Sequence, residues 1–207
     1  MLTQPTVFVV EEDDEVRYSV AEVAPGLGVV VQQFSSADET LAFCRPEMPG
    51  CFVLEDRAGG TSGLILRRQL KAQGCQQPFI FVSSRGDVAS AVEAMHQGAL
   101  DCIEKPLDRQ RLSDRVRQAI SQDANGRRQR ADRSAAAARF DALTPRERQV
   151  VELVAAGKIT KEIAKLLSIS SKTVEVHRSN IMRKMHVESA AELLHLIARF
   201  SLLPLAD

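Results

Sequence analysis

Residues 143–185 read LTPRERQVVELVAAGKITKEIAKLLSISSKTVEVHRSNIMRKM and predict three helices in succession. The first has three agreeing start signals: Thr144 can cap it, Pro145 fits its first position, and Glu147 lies three residues beyond the cap. Thr160 is predicted to cap a short second helix, and the third is predicted over 172–185. A short helix, a turn and a longer helix form a unit whose longer helix can enter the major groove of DNA.

The order of these segments resembles a LuxR-type helix-turn-helix domain, which we place at 142–207. The resemblance puts Glu175, Val176 and Ser179 at the edges of the bases. A glutamate can accept from the cytosine amino group, and a valine can pack on the thymine methyl group. The positions that would contact phosphates or flanking bases are Lys172, Thr173, Arg178 and Lys184.

A fourth helix is predicted after Ser189, and it carries more apolar surface than a small helical core requires. The residues concerned are Leu193, Leu194 and Ile197. The family resembled here uses this helix for dimerisation, which implies a homodimer on two half-sites. Packing within the domain is the alternative, and part of the same surface can take part in both packing and dimerisation.

The first 120 residues alternate apolar strand patterns with amphipathic helix patterns five times. Strands are predicted at 6–10, 29–31, 52–54, 79–82 and 100–103, with helices after each. Pro25 and Gly26 are expected to end the first helix. Such βα units predict an α/β doubly wound domain with a five-stranded parallel sheet, flavodoxin-like, over 1–120, followed by the all-α four-helix domain.

Between the two domains, residues 121–141 are rich in arginine and alanine and offer little to bury. We interpret them as a linker, and their composition favours a helix with Asn125 and Gly126 as its weak point. The net charge of zero conceals an asymmetry, because residues 1–120 hold 12 Lys/Arg against 17 Asp/Glu, and the rest hold 15 against 10. A basic second half suits contact with phosphates.

Cysteine spacing and hydropathy exclude several classes of protein. The four cysteines have neither Cys-x-x-Cys spacing nor neighbouring histidine clusters, which argues against a zinc site and a disulfide framework. No apolar run approaches the roughly 20 residues needed to span a bilayer, and no secretory signal pattern opens the sequence. We therefore expect a cytoplasmic protein without a membrane partner.

Residues 6–120 resemble a response-regulator receiver, so the whole chain resembles the FixJ/NarL family of two-component regulators. In such receivers, acids after the first strand and an aspartate after the third hold Mg²⁺, and that aspartate accepts a phosphoryl group. Here the acid pair is Glu11 and Glu12, Ser83 takes the hydroxyl position, and Lys105 takes the lysine position. These residues define the predicted receiver pocket.

The acceptor position is where this sequence departs from the family. Counting back eight residues from Gly63 puts Glu55 in the place of the phosphorylatable aspartate. Asp56 follows, but adjacent residues on a strand point to opposite faces. Cys102 replaces the switch aromatic of the fifth strand. The Mg²⁺ ligands would be Glu12 and Glu55, but Mg²⁺ demands near-ideal octahedral geometry that the longer side chains disfavour, so no cofactor is expected to be required.

The sequence therefore predicts a sequence-specific DNA-binding transcription regulator with an atypical receiver that ordinary aspartyl phosphorylation does not control. Expected partners are double-stranded DNA, a second copy of the chain, and a histidine kinase or another regulatory protein. Two alternatives remain open: a conventional phosphorylation-activated regulator, and a receiver-based adaptor with secondary DNA contact. The chain is not expected to be an enzyme, because no nucleotide-binding glycine loop accompanies the pocket.

Overall fold

The computed structural model describes residues 4–11, 13–55, 57–58, 61–83 and 87–203. The chain divides into two compact units, Met1–Arg127 and Arg128–Asp207. Among the described residues, no helix is both long and apolar enough to cross a membrane.

The first unit is built on a parallel sheet of five strands in the order β2-β1-β3-β6-β7. Two short strands, β4 and β5, form a separate antiparallel pair that the sequence patterns did not predict. The strands are β1 (Thr6–Val10), β2 (Val30–Phe34), β3 (Gly50–Glu55), β4 (Arg57–Ala58), β5 (Thr61–Ser62), β6 (Phe79–Ser83) and β7 (Asp101–Glu104).

Five helices accompany this sheet, and side-chain caps begin the first four. Asp13, Ser36, Ser62 and Asp87 each accept a hydrogen bond from a backbone N–H of the first turn, which satisfies donors that the helix itself cannot. The helices are α1 (Asp14–Leu27), α2 (Ala37–Phe43), α3 (Gly63–Ala72), α4 (Val88–His96) and α5 (Arg109–Asp141).

Apolar side chains are buried on both faces of the sheet. Phe8 and Phe52 of neighbouring strands belong to a cluster on one face, whereas Val9 and Val53 belong to a cluster on the other. Successive strand residues point to opposite faces, so strands covered on both sides are apolar almost throughout. The predicted fold class is confirmed.

The predicted end of the first helix is wrong, and the weak point predicted in the linker does not interrupt its helix. α1 continues through Pro25 and Gly26 and ends at Leu27, where Gly28 adopts a left-handed φ of 65° and its N–H bonds back to the last turn. α5 continues without interruption through Asn125 and Gly126. Tertiary contacts override the weak helix propensity there.

Those contacts attach the start of the predicted linker to the first unit. Buried Asp123 accepts a hydrogen bond from Gly50 N at 3.0 Å, and Arg127 donates to the carbonyl oxygens of Pro46 and Glu47. The part of 121–141 that begins at Arg128 falls in the second unit. The linker bounds themselves stay a prediction.

The second unit contains four further helices around one core. They are α6 (Pro145–Ala155), α7 (Thr160–Leu166), α8 (Ser171–Met185) and α9 (Ala190–Phe200). The core includes Val150, Ile163, Val174, Ile181 and Leu193, and Phe140 from the end of α5 packs into it.

The predicted caps of this unit are confirmed with one exception. Thr144 and Glu147 form a complete capping box at α6, and Ser189 caps α9. At α7, Ile159 occupies the cap position instead of Thr160, and its N–H donates to Glu162 Oε2 at 3.0 Å. Thr160 is thus the first residue of α7, and its hydroxyl is free for another contact.

Candidate carboxylate pocket and nucleic-acid interface

A pocket of charged side chains lies at the carboxyl ends of the parallel strands, where open α/β sheets place their sites. Glu11 follows β1, Glu55 ends β3, Ser83 ends β6 and Lys105 follows β7. We call these residues, together with Asp13, the carboxylate pocket. The fold therefore brings together the predicted residues Glu11, Glu55, Ser83 and Lys105, while Glu12 and Asp56 lie outside the described residues.

Lys105 is the cation of this pocket. Its Nζ lies 2.5 Å from Glu55 Oε1, 2.9 Å from Asp13 Oδ2 and 3.7 Å from Glu11 Oε2. The bonds to Glu55 and Asp13 are charge-assisted and short. Burial alone would lower the pKa of the Lys105 ammonium, but the bonds to the carboxylates outweigh it and raise that pKa. Lys105 therefore stays charged and compensates its acidic neighbours.

Glu11 is the buried carboxyl group of the pocket. Desolvation, and then a hydrogen bond shared with Glu55, raise the pKa of its carboxyl to about 8. Its Oε1 accepts from Asp13 N at 2.8 Å. Near neutral pH burial therefore favours the protonated form of the Glu11 carboxyl.

Asp13 is the pocket residue that sequence reasoning missed. One of its carboxylate oxygens accepts from Glu15 N and caps α1, while the other binds Lys105. Lys105 lowers the pKa of Asp13, with the bond to Glu15 N as the second cause. In the sequence, Asp13 is an acid at the start of a helix, and the role of a helix cap is enough to explain it. Its contact with Lys105 exists only because the fold brings Lys105, which follows β7, to the start of α1.

Ser83 and Cys102 contact each other beside the pocket. Cys102 Sγ lies 3.4 Å from Ser83 Oγ, a distance typical of a weak hydrogen bond involving sulfur. Cys102, at the predicted position of the switch aromatic, is thus linked to the predicted hydroxyl position. The hydroxyl of Ser83 faces this thiol rather than a charged group in the contacts described.

Gly63 allows the backbone to pass close to Glu55. A Cβ atom on Gly63 would lie 2.1 Å from the Glu55 carbonyl oxygen, so any side chain there would force the two segments apart. The glycine used to locate the acceptor position is therefore also a packing requirement of that position.

The described residues do not fit Mg²⁺, the ion that the family resemblance implies. Magnesium takes an octahedron of oxygen ligands at about 2.0–2.1 Å. Here Lys105 already pairs with the carboxylates of Glu55 and Asp13 and thus holds the oxygens that a metal ion would need. Across the described ranges, no group of three or more His, Cys, Asp or Glu side chains is arranged to hold a metal ion.

The candidate nucleic-acid interface is the outward side of α8. Val174, Ile181 and Met185 face the core, which leaves the opposite side of the helix to solvent. Of the predicted base-edge positions, Glu175, Val176 and Ser179 are all exposed. Lys172 and Thr173 are exposed, and Arg178 is half-buried.

Two of the predicted contact residues are held by other side chains. Lys184 Nζ lies 2.6 Å from Glu147 Oε2 and also donates to Ala142 O, so it bridges α8 to the start of α6. Glu175 Oε1 accepts a hydrogen bond of 2.7 Å from Thr160 Oγ1 of α7. Sequence reasoning missed both pairs, because each joins helices that are distant in sequence.

The predicted dimerisation residues of α9 separate into two groups. Leu193 and Ile197 pack in the core of their own unit, whereas Leu194 is 37% exposed. Ala191 and Ala198 are exposed on the same side as Leu194, at helical spacing. Most of the apolar surface of α9 is therefore buried in the core of its own unit, and Leu194 remains exposed.

Two protein-family profiles match this chain. The response regulator receiver domain matches residues 7–117, and the bacterial regulatory proteins of the luxR family match residues 141–197.

The chain is also similar over nearly its whole length to curated relatives and to solved structures. The transcriptional regulatory protein FixJ of Azorhizobium caulinodans is 39% identical over 97% of this chain and 95% of its own length. FixJ of Bradyrhizobium diazoefficiens is 36% identical over 98% of this chain and 99% of its own. The solved structure of the response regulator StyR has a TM-score of 0.85 at 38% identity and covers 95% of this chain and 100% of that one. Full-length FixJ from B. japonicum has a TM-score of 0.58 at 36% identity, covering 98% and 100%.

Proposed function

Because the chain belongs to the FixJ/NarL family of response regulators, as a DNA-binding transcription regulator with a receiver and a LuxR-type domain, we propose that its receiver works without aspartyl phosphorylation. The observation that carries this proposal is the ion pair between Glu55 Oε1 and Lys105 Nζ, 2.5 Å apart. The family match makes the chain a regulator rather than an enzyme.

The chemistry of the acceptor position supports the proposal. Glu55 is one methylene longer than aspartate, and its carboxylate is already bound to the lysine that would stabilise a phosphoryl oxygen. Phosphoryl transfer depends mostly on positioning and on charge compensation by a metal ion. The described side chains do not fit that ion, so the proposed receiver needs no Mg²⁺ and no other cofactor.

Glu55 supplies part of what a phosphoryl group would supply. Its single negative charge engages Lys105, but a phosphoryl group carries about two charges and three acceptor oxygens. The hydroxyl of Ser83 contacts Cys102 instead. This arrangement favours a receiver that its own ion pair holds in one state. A regulatory protein, such as a kinase acting as a binding partner, would change that state by binding to the receiver.

For DNA recognition we propose that Glu175, Val176 and Ser179 read base edges, while Lys172, Thr173 and Arg178 contact the backbone. All except Arg178 are exposed on α8. Lys184 is assigned to the same surface. Because it is bonded to Glu147, its main role is to hold α8 against the start of α6. The proposed target is double-stranded DNA in the bacterial cytoplasm.

We further propose that the chain acts as a homodimer, with Leu194 as the centre of the contact. Leu194 is exposed between Ala191 and Ala198, and small neighbours allow two helices to approach closely. Two copies related by a two-fold axis would bind two half-sites.

Selection of bound genomic fragments tests the proposed function. The untreated protein is incubated with fragmented DNA, and the selection is repeated with acetyl phosphate and Mg²⁺. The proposal expects the same enriched sequence, containing two half-sites, from both arms. Enrichment only with the donor would support a conventional regulator, and no enriched sequence in either arm would favour the adaptor.

A further inference from the structure

We propose that Thr160 is a specificity-positioning residue, whose hydroxyl fixes the carboxylate of Glu175 for base recognition. The inference rests on the proposed role of Glu175 at a base edge. Thr160 lies outside α8, so the inference extends DNA recognition to a second helix. Its expected effect is a stronger preference for cytosine at one operator position.

The contact joins two helices at the candidate nucleic-acid interface. Thr160 Oγ1 donates to Glu175 Oε1 at 2.7 Å, from the first residue of α7 to the first turns of α8. A hydrogen bond to an ionised carboxylate is shorter and stronger than one between neutral groups. Glu175 itself is exposed, so this bond restricts the direction of a side chain that packing alone would leave mobile.

The hydroxyl of Thr160 is available because it does not cap α7. Ile159 occupies the cap position, and the carboxylate of Glu162 satisfies the Ile159 N–H. A threonine at the cap would direct its oxygen to the N–H groups of its own helix. One position later, the hydroxyl of Thr160 instead donates to α8.

Fixing Glu175 matters because its carboxylate has one kind of favourable partner on DNA. It can accept from a cytosine amino group, whereas DNA phosphates carry the same charge and repel it. A carboxylate has about four acceptor positions on two oxygens. The bond from Thr160 occupies one of them and leaves Oε2 for the base.

The test uses the full chain and compares Thr160→Val, which removes the hydroxyl and keeps the shape, with Thr160→Ser, which keeps the hydroxyl. Affinity is measured at fixed salt for the selected operator, for its variants at the position that depends on Glu175, and for an unrelated duplex. We expect Thr160→Val to lose about 3- to 10-fold in discrimination for cytosine, the range of one net hydrogen bond. Thr160→Ser retains discrimination, and affinity for unrelated DNA changes by less than about twofold in both.

A double-mutant cycle with Glu175→Ala separates the possible failures. In the Glu175→Ala background, Thr160→Val should have no further effect on discrimination. Discrimination retained by Thr160→Val, or an equal loss for every duplex, overturns the inference, and the second result would make Thr160 a backbone contact. If Glu175→Ala leaves discrimination unchanged, the proposed base contact itself is wrong and the inference falls with it. Thr160→Ala repeats the loss of the hydroxyl should Thr160→Val fail to fold.

Discussion

The Nζ of Lys105 lies 2.5 Å from Oε1 of Glu55, which places a lysine in direct contact with the residue at the acceptor position. In the proposed function this pair takes the place of the phosphorylation that the family resemblance implies. If this pair replaces phosphorylation, the negative charge at the acceptor position is permanent. DNA affinity and magnesium binding should then differ from those of a phosphorylated receiver.

Removing the charge of Glu55 should weaken DNA binding. Glu55→Gln keeps the shape of the side chain and removes the nearest carboxylate partner of Lys105, which keeps Asp13 at 2.9 Å and Glu11 at 3.7 Å. If the ion pair maintains the binding-competent state, affinity for the operator falls by about fivefold or more, the lower range of allosteric coupling. The measurement is fluorescence anisotropy with a labelled operator. Asp38→Asn, a change at an exposed acid on α2, serves as the control, and equal affinities of wild type and Glu55→Gln would show that the charge is irrelevant.

Magnesium should neither bind the receiver nor stabilise it. A ligand that binds only the folded state raises its stability in proportion to the logarithm of ligand concentration over Kd. We therefore expect the thermal midpoint to stay the same between EDTA and millimolar MgCl₂, and calorimetric titration to show no heat of binding. A variant combining Glu11→Asp, Glu12→Asp and Glu55→Asp is the comparison, since it restores the shorter acids of the family pattern. A magnesium-dependent rise in the wild-type midpoint would contradict the account of the pocket.

The residues of the carboxylate pocket show how far the sequence alone leads. Glu55 was located by counting back from Gly63, a spacing that the family resemblance supplies, and by the apolar strand pattern of 52–54 that precedes it. Lys105 was located because it follows the last strand. Asp13 was missed because its position as the cap of α1 already explains an acid there, and only the folded chain brings its second oxygen to Lys105.

The errors in helix boundaries have a similar origin. Propensity predicted a weak point at Gly126, and Asp123 and Arg127 tie that segment to backbone groups of the first unit and keep it helical. At α7, Thr160 was a sound choice of cap by residue type. The helix begins one residue earlier in the chain, because Glu162 can satisfy the N–H of Ile159 through the reciprocal half of a capping box.

That missing cap offers a stabilising substitution. Ile159 is 62% exposed and contributes no side-chain acceptor, so Ile159→Ser should raise the free energy of unfolding by about 1 kcal/mol. The control is Leu166→Ser at the other end of α7, where an apolar side chain that is 59% exposed is replaced without adding a cap. Urea unfolding of the full chain compares the two variants. Equal changes in both would mean that the gain does not come from capping.

Glu147 should make the second unit sensitive to acid. Burial alone would raise its pKa, but the bond from Lys184 and the capping contacts with Thr144 outweigh it, so the pKa lies below the ordinary value of 4.5. A carboxylate with a lowered pKa stabilises the folded state fully above its unfolded pKa, and this contribution disappears as pH falls through the folded pKa. Glu147→Gln should therefore cost about 1–2 kcal/mol at pH 7 and progressively less below pH ~4.5.

Urea unfolding of wild type and Glu147→Gln at pH 7, 5 and 3.5 measures this difference. Glu152→Gln, an exposed change on the same helix, is the matched control and should leave the free energy of unfolding nearly unchanged. A difference that stays constant or grows towards low pH would be incompatible with the ion pair to Lys184.

The most direct measurement of the central claim is the affinity of the purified full chain for its operator before and after incubation with acetyl phosphate and Mg²⁺, with the intact mass recorded in parallel. We expect affinities within about twofold of each other and no phosphorylated species in the mass spectrum. A stable phosphoryl adduct accompanied by tenfold tighter binding would contradict it.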